Sequence, residues 1–137
     1  IRKAYLVMQD PDYQLFTDSV YQELLLALSD QKDKDEKRID DILDELNLTT
    51  YKERHPMSLS GGQKQRTAIG VAALRDAEVL IFDEPTSGLD SKNMESVAEI
   101  LSALSKRGKA ILVISHDNEL LMKICSRVIR VDERTSS

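Results

Sequence analysis

The segment from residue 59 to residue 90 constrains the fold more than any other part of the chain. It begins with Leu-Ser-Gly-Gly-Gln-Lys-Gln-Arg at residues 59–66 and ends with Val-Leu-Ile-Phe-Asp-Glu-Pro-Thr-Ser-Gly-Leu-Asp at residues 79–90. A serine and two glycines at the start of a helix leave backbone N–H groups free to bind an anion. An apolar strand that ends in two adjacent carboxylates suits a Mg²⁺–nucleotide site. Together the two motifs predict an α/β unit that binds phosphate groups.

The two motifs resemble the signature and Walker B motifs of the ATP-binding cassette (ABC) ATPases. The resemblance extends from about Ala4 to Asp132 and implies the α/β fold of a partial P-loop NTPase core, with parallel strands and helices plus a helical subdomain. It assigns the whole chain, residues 1–137, to one partial ABC ATPase domain. Residues 9–58 would form the Q-loop and helical subdomain, and residues 59–137 would carry the signature, Walker B, D-loop, switch histidine and C-terminal core.

A Walker A sequence, Gly-x-x-x-x-Gly-Lys-Ser/Thr, does not occur in the chain, because the five glycines do not have that spacing. In the resembled family this phosphate-binding loop lies upstream of the segment that opens the chain. We therefore expect a fragment that lacks the loop and its lysine. Such a fragment is expected to hydrolyse ATP negligibly by itself.

Apolar patterning predicts the secondary structure along the chain. Short apolar runs predict strands at residues 4–8, 79–82, 110–114 and 128–131. Apolar residues at helical spacing predict helices at residues 17–28, 39–47, 63–74, 91–106 and 117–124. The first helix is expected to be capped by Thr17 or Asp18. Strands that alternate with helices in the second half predict a parallel sheet, whose strands are expected to be buried.

Asp83 and Glu84 end the predicted strand at residues 79–82, where ligand sites gather in open α/β sheets. Their charge alone does not distinguish a metal ligand from a general base. The resemblance to Walker B implies that Asp83 binds Mg²⁺ through water and that Glu84 polarises the attacking water. The alternative is a pair of carboxylates that caps the turn before Pro85.

Two further polar residues follow predicted strands. His116 comes after the apolar strand at residues 110–114, and by its order in the chain resembles the switch histidine of the family. Gln9 ends the first strand, and the resemblance implies that its amide reaches Mg²⁺ or the attacking water. The run from Met8 to Phe16 resembles the Q-loop of energy-coupling-factor ATPases, the cobalt- and vitamin-uptake branch. Its apolar residues at positions 13, 15 and 16 would alternatively be core of the helical subdomain.

The resemblance also implies residues that bind ATP across a dimer interface. In the family, two ATPase domains pair head-to-tail, and each signature helix completes the nucleotide site of the other domain. The residues implied are Ser60, Gly61, Gly62 and Gln63 of the signature and Asp90 of the D-loop. The partner would be a second ABC ATPase domain, identical or different.

Composition limits the classes of function. A formal net charge of −5 argues against nucleic acid as the main partner, beyond the nucleotide itself. The single Cys125 excludes an internal disulfide framework and fits a reducing compartment. The apolar runs are too short to span a bilayer, so an action at the membrane would depend on partner subunits.

The function expected from the resemblance is ATP binding and hydrolysis, with Mg²⁺, in a subunit of an ABC-type importer for a metal ion or vitamin. The helical subdomain would contact an integral membrane subunit at the cytoplasmic face of the cell membrane. Two alternatives are also compatible with the sequence. One is a soluble ABC ATPase that acts on nucleic acid or ribosomes, and the other is a non-catalytic interaction fragment.

Overall fold

The computed structural model describes residues 4–29 and 35–124 of the chain. Within these residues, three β-strands and five α-helices follow one another in the order β1 (Ala4–Val7), α1 (Val20–Leu28), α2 (Lys37–Glu45), α3 (Gly61–Leu74), β2 (Val79–Asp83), α4 (Ser91–Lys106), β3 (Ala110–Ile114) and α5 (Asn118–Ile124). Single-turn 3-10 helices lie at Pro11–Tyr13, Thr49–Tyr51 and Pro56–Ser58. The α/β fold predicted from the sequence is confirmed. The predicted strand at residues 128–131 and Cys125 lie outside the described residues.

The three strands form one parallel sheet in the order β1-β2-β3. Val7 of β1 is level with Phe82 of β2, which is level with Val113 of β3. All three strands therefore end at the same edge of the sheet. This register brings the loops that follow the strands, with the predicted site residues, to one edge.

Only one face of this sheet is covered by the described helices. Leu80 and Phe82 of β2 are fully buried on the covered face, together with Val7. On the other face, Leu112 of β3 is 53% exposed, and Leu6, at the same level on β1 across Ile81 of β2, is also exposed. The prediction that the strands at residues 79–82 and 110–114 are buried is therefore wrong for one face, because burial alternates along both strands.

Helix α1 begins three residues later than the sequence predicted. Its N-cap is Ser19, whose hydroxyl accepts a hydrogen bond from the backbone N–H of Gln22 at 3.1 Å. Neither Thr17 nor Asp18 caps the helix. The Thr17 hydroxyl donates to the carbonyl of Ser19 at 3.1 Å, and the N–H groups of Phe16 and Thr17 donate to the Glu23 carboxylate at 2.5 and 2.6 Å. Glu23 is buried, so this carboxylate fixes the chain where it enters α1.

Replacing Glu23 by alanine is expected to lower the free energy of unfolding by about 2–3 kcal/mol, because it leaves two backbone N–H groups without an acceptor. Gln22→Ala, on the exposed side of the same helix, is the matched control and is expected to change stability by less than about 0.5 kcal/mol. Urea denaturation of the complete protein measures both. Equal denaturation midpoints for the two variants would contradict the anchoring role.

Helices α1 and α3 approach each other closely, next to the end of α2, at a glycine. A Cβ atom at Gly70 would lie 3.0 Å from Cδ1 of Leu46 and 3.2 Å from Cδ2 of Leu24, and both leucines are fully buried. The helical part of the chain is thus packed directly on α3, the helix that begins with the signature. In the described ranges, no helix combines the length and apolar character needed to cross a membrane.

Candidate active site

Glu84 is the residue around which the candidate site is organised. It follows β2 directly and has a φ of +49°, a left-handed conformation that costs a non-glycine residue about 1–2 kcal/mol. Its backbone N–H donates to the carbonyl of Ile114 at 2.7 Å. Its backbone oxygen accepts from Nε2 of Gln65 at 3.0 Å. Hydrogen bonds on both sides of the Cα atom therefore hold the strained conformation.

The left-handed turn brings the Glu84 carboxylate to the loop that follows β3. Oε1 accepts from the backbone N–H of His116 at 3.1 Å, and Oε2 accepts from the hydroxyl of Ser115 at 3.4 Å. The Ser115 hydroxyl in turn accepts from the backbone N–H of Asp117 at 2.9 Å. Nε2 of His116 lies 3.6 Å from Oε1 of Glu84, and the imidazole is fully exposed. The structure thus joins Glu84 and His116, two of the predicted catalytic residues.

Asp83 has a different environment from its neighbour. As the last residue of β2 it alternates with Phe82, so its side chain lies on the uncovered face of the sheet. In the part of the chain that the structure describes, no group donates a hydrogen bond to its carboxylate. The two adjacent carboxylates therefore differ, since the β3 loop holds that of Glu84 and no donor among the described residues engages that of Asp83. The alternative of a carboxylate pair capping the turn before Pro85 does not describe Asp83.

Gln9 lies two residues beyond β1, exposed at the same edge of the sheet. The loop around it is fixed by Gln14, whose Oε1 accepts from the N–H of Met8 at 2.9 Å and whose Nε2 donates to the carbonyl of Leu6 at 2.6 Å. The amide of Gln14 thereby bonds two backbone groups at the end of β1, and Gln9 lies in a loop fixed by these bonds.

The apolar residues of the same loop have different environments. Leu15 belongs to the core, whereas Phe16 is 73% exposed. A 2.8 Å ion pair between Asp12 and Lys64 connects the loop to the first turns of α3. The core interpretation of this run therefore holds for Leu15 and not for Phe16.

The signature residues form the start of α3 with a capping box. Oγ of Ser60 accepts from the N–H of Gln63 at 3.2 Å, and Oε1 of Gln63 accepts from the N–H of Ser60 at 2.9 Å. The side chain of Gln63 is thus engaged in the cap of its own helix. Gly61 and Gly62 occupy the first two helical positions, where backbone N–H groups have no partner within the helix.

The two glycines have different surroundings. A Cβ atom at Gly61 would meet nothing within 4 Å, whereas one at Gly62 would lie 3.2 Å from Cδ2 of Leu89. Gly61 therefore faces open space, and Gly62 allows the loop before α4 to pack on the signature. In that loop Asp90 is the N-cap of α4, since its carboxylate accepts from the N–H of Asn93 at 2.9 Å.

A buried arginine connects the signature helix to two other elements. Nη1 of Arg66 donates to the carbonyl of Leu46, at the end of α2, at 2.6 Å and to Oδ1 of Asn93, in α4, at 2.9 Å. Its Nε donates to the carbonyl of Gly62 at 3.3 Å. Burial lowers the pKa of the guanidinium, and the charge of nearby Asp90 opposes that shift. Arg66 thus joins the end of α2, the first turn of α3 and the first turn of α4.

Sequence reasoning did not select Gln65, Arg66 or Ser115. All three are polar residues inside or beside recognised motifs, and two of them are buried. A buried polar side chain within an otherwise apolar helix face is the signal that identifies Gln65 and Arg66, because such groups need partners. The hydroxyl of Ser115 carries no comparable signal, since its role depends on the turn at Glu84.

The structure has a parallel sheet with carboxylates at one edge and, beside it, a helix that begins with two glycines. This arrangement is that of the class of ABC-type nucleotide-binding domains. The sequence model of the ABC transporter family matches residues 2–87. The chain belongs to this family.

Curated relatives agree with this membership. The chain is 52% identical over 127 residues to an ABC transporter ATP-binding protein of Treponema denticola, and the match covers 93% of this chain and 25% of that protein. It is 37% identical to the energy-coupling factor transporter ATP-binding protein EcfA2 of Mesoplasma florum, and the match covers 96% of this chain and 44% of that protein. The chain thus spans less than half the length of both relatives.

Solved structures share the fold. The structure of cbiO1 from Clostridium perfringens, part of the ABC transporter complex cbiONQ, matches with a TM-score of 0.65 and 35% identity over 89% of this chain and 51% of that chain. The dimeric ATP-binding cassette MJ0796 bound to ADP and Pi matches with a TM-score of 0.75 and 26% identity, over 89% of this chain and 56% of that chain. An RNase-L inhibitor matches with a TM-score of 0.73 and 27% identity, over 88% of this chain and 23% of that chain.

Proposed function

We propose that this chain is part of the ATP-hydrolysing subunit of an ABC-type importer, which couples hydrolysis of MgATP to uptake of a small nutrient such as a metal ion or vitamin. The observation that carries the proposal is the Glu84 carboxylate, held at the sheet edge by Ser115 and His116 and adjacent in the chain to the carboxylate of Asp83. A base for the attacking water and a metal ligand are the two roles that such a pair supports.

The residues present suit a Mg²⁺ ion. Groups of three or more metal-binding side chains are absent among the described residues, and Mg²⁺ in nucleotide sites is held by one or two carboxylates, phosphates and water. Asp83 would supply the carboxylate, with Gln9 at the same edge as a second oxygen ligand. The ion would neutralise charge on the phosphates. Glu84 would accept a proton from the attacking water, and His116 would donate a hydrogen bond to the terminal phosphate.

We assign the ATP-binding role of Ser60, Gly61, Gly62, Gln63 and Asp90 to the site of a second ABC ATPase domain in a head-to-tail dimer. Support comes from Gly61, whose N–H group begins α3 and whose Cα atom faces open space. The capping box limits Gln63 to orienting the helix start. Asp90 ends the loop that precedes α4, and it would act by fixing the position of that loop.

Replacing Gly61 by alanine tests this assignment without disturbing the single chain, because the added methyl group meets no atom within 4 Å. We expect an unchanged melting temperature and an ATP-induced dimer weakened at least about tenfold, since the methyl group would keep the phosphate from the backbone. Light scattering of the complete protein with MgATP measures the dimer.

The matched control for this measurement is Lys37→Ala, a substitution at the exposed first position of α2. This variant is expected to dimerise as the wild type does. Full ATP-induced dimerisation of the Gly61→Ala variant would contradict the proposed position of the signature at the nucleotide interface.

These 137 residues by themselves would hydrolyse ATP negligibly, because they contain no phosphate-binding loop with its lysine. We therefore propose that the loop belongs to another part of the complete protein. Residues 9–58 would form the Q-loop and the helical subdomain, and residues 59–137 would carry the remaining motifs of the domain.

The membrane partner is proposed from the named relatives. The chain is more similar to EcfA2 and cbiO1, at 37% and 35% identity, than to the RNase-L inhibitor at 27%. We infer an integral membrane subunit that contacts the helical subdomain at the cytoplasmic face of the membrane. Its test is co-purification of the complete protein with an integral membrane protein from detergent extracts, together with ATP-dependent uptake of Co²⁺, Ni²⁺ or a vitamin. Co-purification with ribosomes or nucleic acid would support a soluble ABC protein instead.

A further inference from the structure

We propose that Gln65 is a positioning residue for Glu84, an inference that rests on the proposed role of Glu84 as general base. Gln65 lies in α3 and is only 3% exposed. Its Nε2 atom donates to the backbone oxygen of Glu84 at 3.0 Å. A side chain of the signature helix thus binds the main chain of the residue that would activate water.

The conformation of Glu84 explains why such a contact is needed. A strand that continued past Asp83 in the extended conformation would turn the next side chain to the covered face of the sheet. The φ of +49° instead directs the carboxylate to Ser115 and His116. Among the described residues, Asn47 is the only other non-glycine residue with a positive φ. The position of the carboxylate therefore depends on groups that stabilise an uncommon backbone conformation.

The two peptide groups that flank the Cα atom of Glu84 are both held. The N–H of the preceding peptide donates to the carbonyl of Ile114 at 2.7 Å. The oxygen of the following peptide accepts from Gln65 at 3.0 Å and from the N–H of Ser87 at 3.3 Å. Gln65 supplies the shorter of these last two bonds, and it comes from a separate, regular helix. Because the amide is buried, bulk water does not replace it as a donor.

The Gln65→Met variant, made in the complete protein, keeps the length of the side chain and removes the donor. We expect kcat for MgATP to fall about tenfold or more, because a general base displaced by a fraction of an ångström is poorly aligned with water. KM and the Kd for ATP are expected to stay within about twofold, since Gln65 touches no group assigned to the nucleotide.

The matched control is Thr67→Val, which removes another buried polar group from α3. The hydroxyl of Thr67 donates to the carbonyl of Gln63 at 2.8 Å within the helix and has no contact with Glu84. This variant is expected to keep the kcat of the wild type. Rates are taken per molecule that binds ATP, so that a partly unfolded preparation is still interpretable.

A double-mutant cycle separates positioning from a general loss of structure. If Gln65 acts through Glu84, adding Gln65→Met to a Glu84→Gln protein causes no further loss of the residual rate. A further loss equal to that in the wild-type background, a kcat unchanged by Gln65→Met, or variants too unstable to bind ATP would each overturn the proposal. A Glu84→Gln protein that keeps full activity would instead refute the proposed function, and the two failures are thus distinguishable.

Discussion

Replacing Glu84 by glutamine is expected to lower kcat for MgATP hydrolysis by the complete protein at least about 100-fold, with the Kd for ATP within about twofold of the wild type. A positioned general base contributes on the order of 10²–10⁴-fold, and an amide accepts no proton from water. Glutamine keeps the shape of the side chain, and its oxygen still accepts from the N–H of His116, which lies 3.1 Å from the carboxylate. The loss is therefore expected in turnover and not in binding. Steady-state phosphate release and ATP titration measure the two quantities.

The control for this experiment is Glu99→Gln, which neutralises an exposed carboxylate on α4. It is expected to leave kcat unchanged, because Glu99 lies outside the candidate site. The substitution removes one negative charge, as Glu84→Gln does. A Glu84→Gln protein whose kcat stays within a few-fold of the control would show that another group activates the water. The interpretation of the β2–β3 edge as the catalytic site would then be wrong.

Replacing Arg66 by methionine is expected to cause the largest loss of stability, about 2–4 kcal/mol in the free energy of unfolding. The substitution keeps much of the buried volume but leaves the carbonyl of Leu46 and the side chain of Asn93 without their charged donor. We expect the loss to be concentrated where α2 ends and α4 begins. Urea denaturation gives its size, and hydrogen exchange shows faster opening of residues 43–48 and of the first turn of α4.

Arg54→Met is the matched control for Arg66. Arg54 is exposed and contacts the carbonyl of Ser58 at 3.3 Å and the ring of Tyr51, with its guanidinium carbon 5.6 Å from the centroid. Its replacement is expected to change stability by no more than about 0.5 kcal/mol. Equal effects of the two substitutions would mean that the three bonds of Arg66 add little beyond a surface contact.

Local sequence signals were sufficient to predict most of the secondary structure. The helix predicted at residues 91–106 is α4, and its end at Gly108, with a φ of +89°, has the left-handed conformation that glycine favours. The strand predicted at residues 110–114 is β3. These elements were predictable because the spacing of their apolar residues and the residues at their ends indicate the same element. The start of α1 was not, because the carboxylate of Glu23 engages the preceding N–H groups.

The sequence selected the residues of the candidate site but not the contacts between them. Motif spacing identified Glu84 and His116, and the parallel order of the strands explains why they meet. The left-handed φ of Glu84 has no local signal, since glutamate rarely adopts it and the bond that supports it comes from Gln65, nineteen residues earlier. The burial of only one sheet face was also missed. An apolar run indicates that a strand can be buried, but it does not indicate which elements cover the strand.

The most direct measurement is the structure of the complete protein, as the Glu84→Gln variant, with bound MgATP. We expect residue 84 of one protomer and the N–H groups of Gly61 and Gly62 of the other to contact the same terminal phosphate, with Asp83 on the metal side. A closed dimer in which either group lies more than about 8 Å from that phosphate, beyond the reach of one bridging water, would contradict the proposed site.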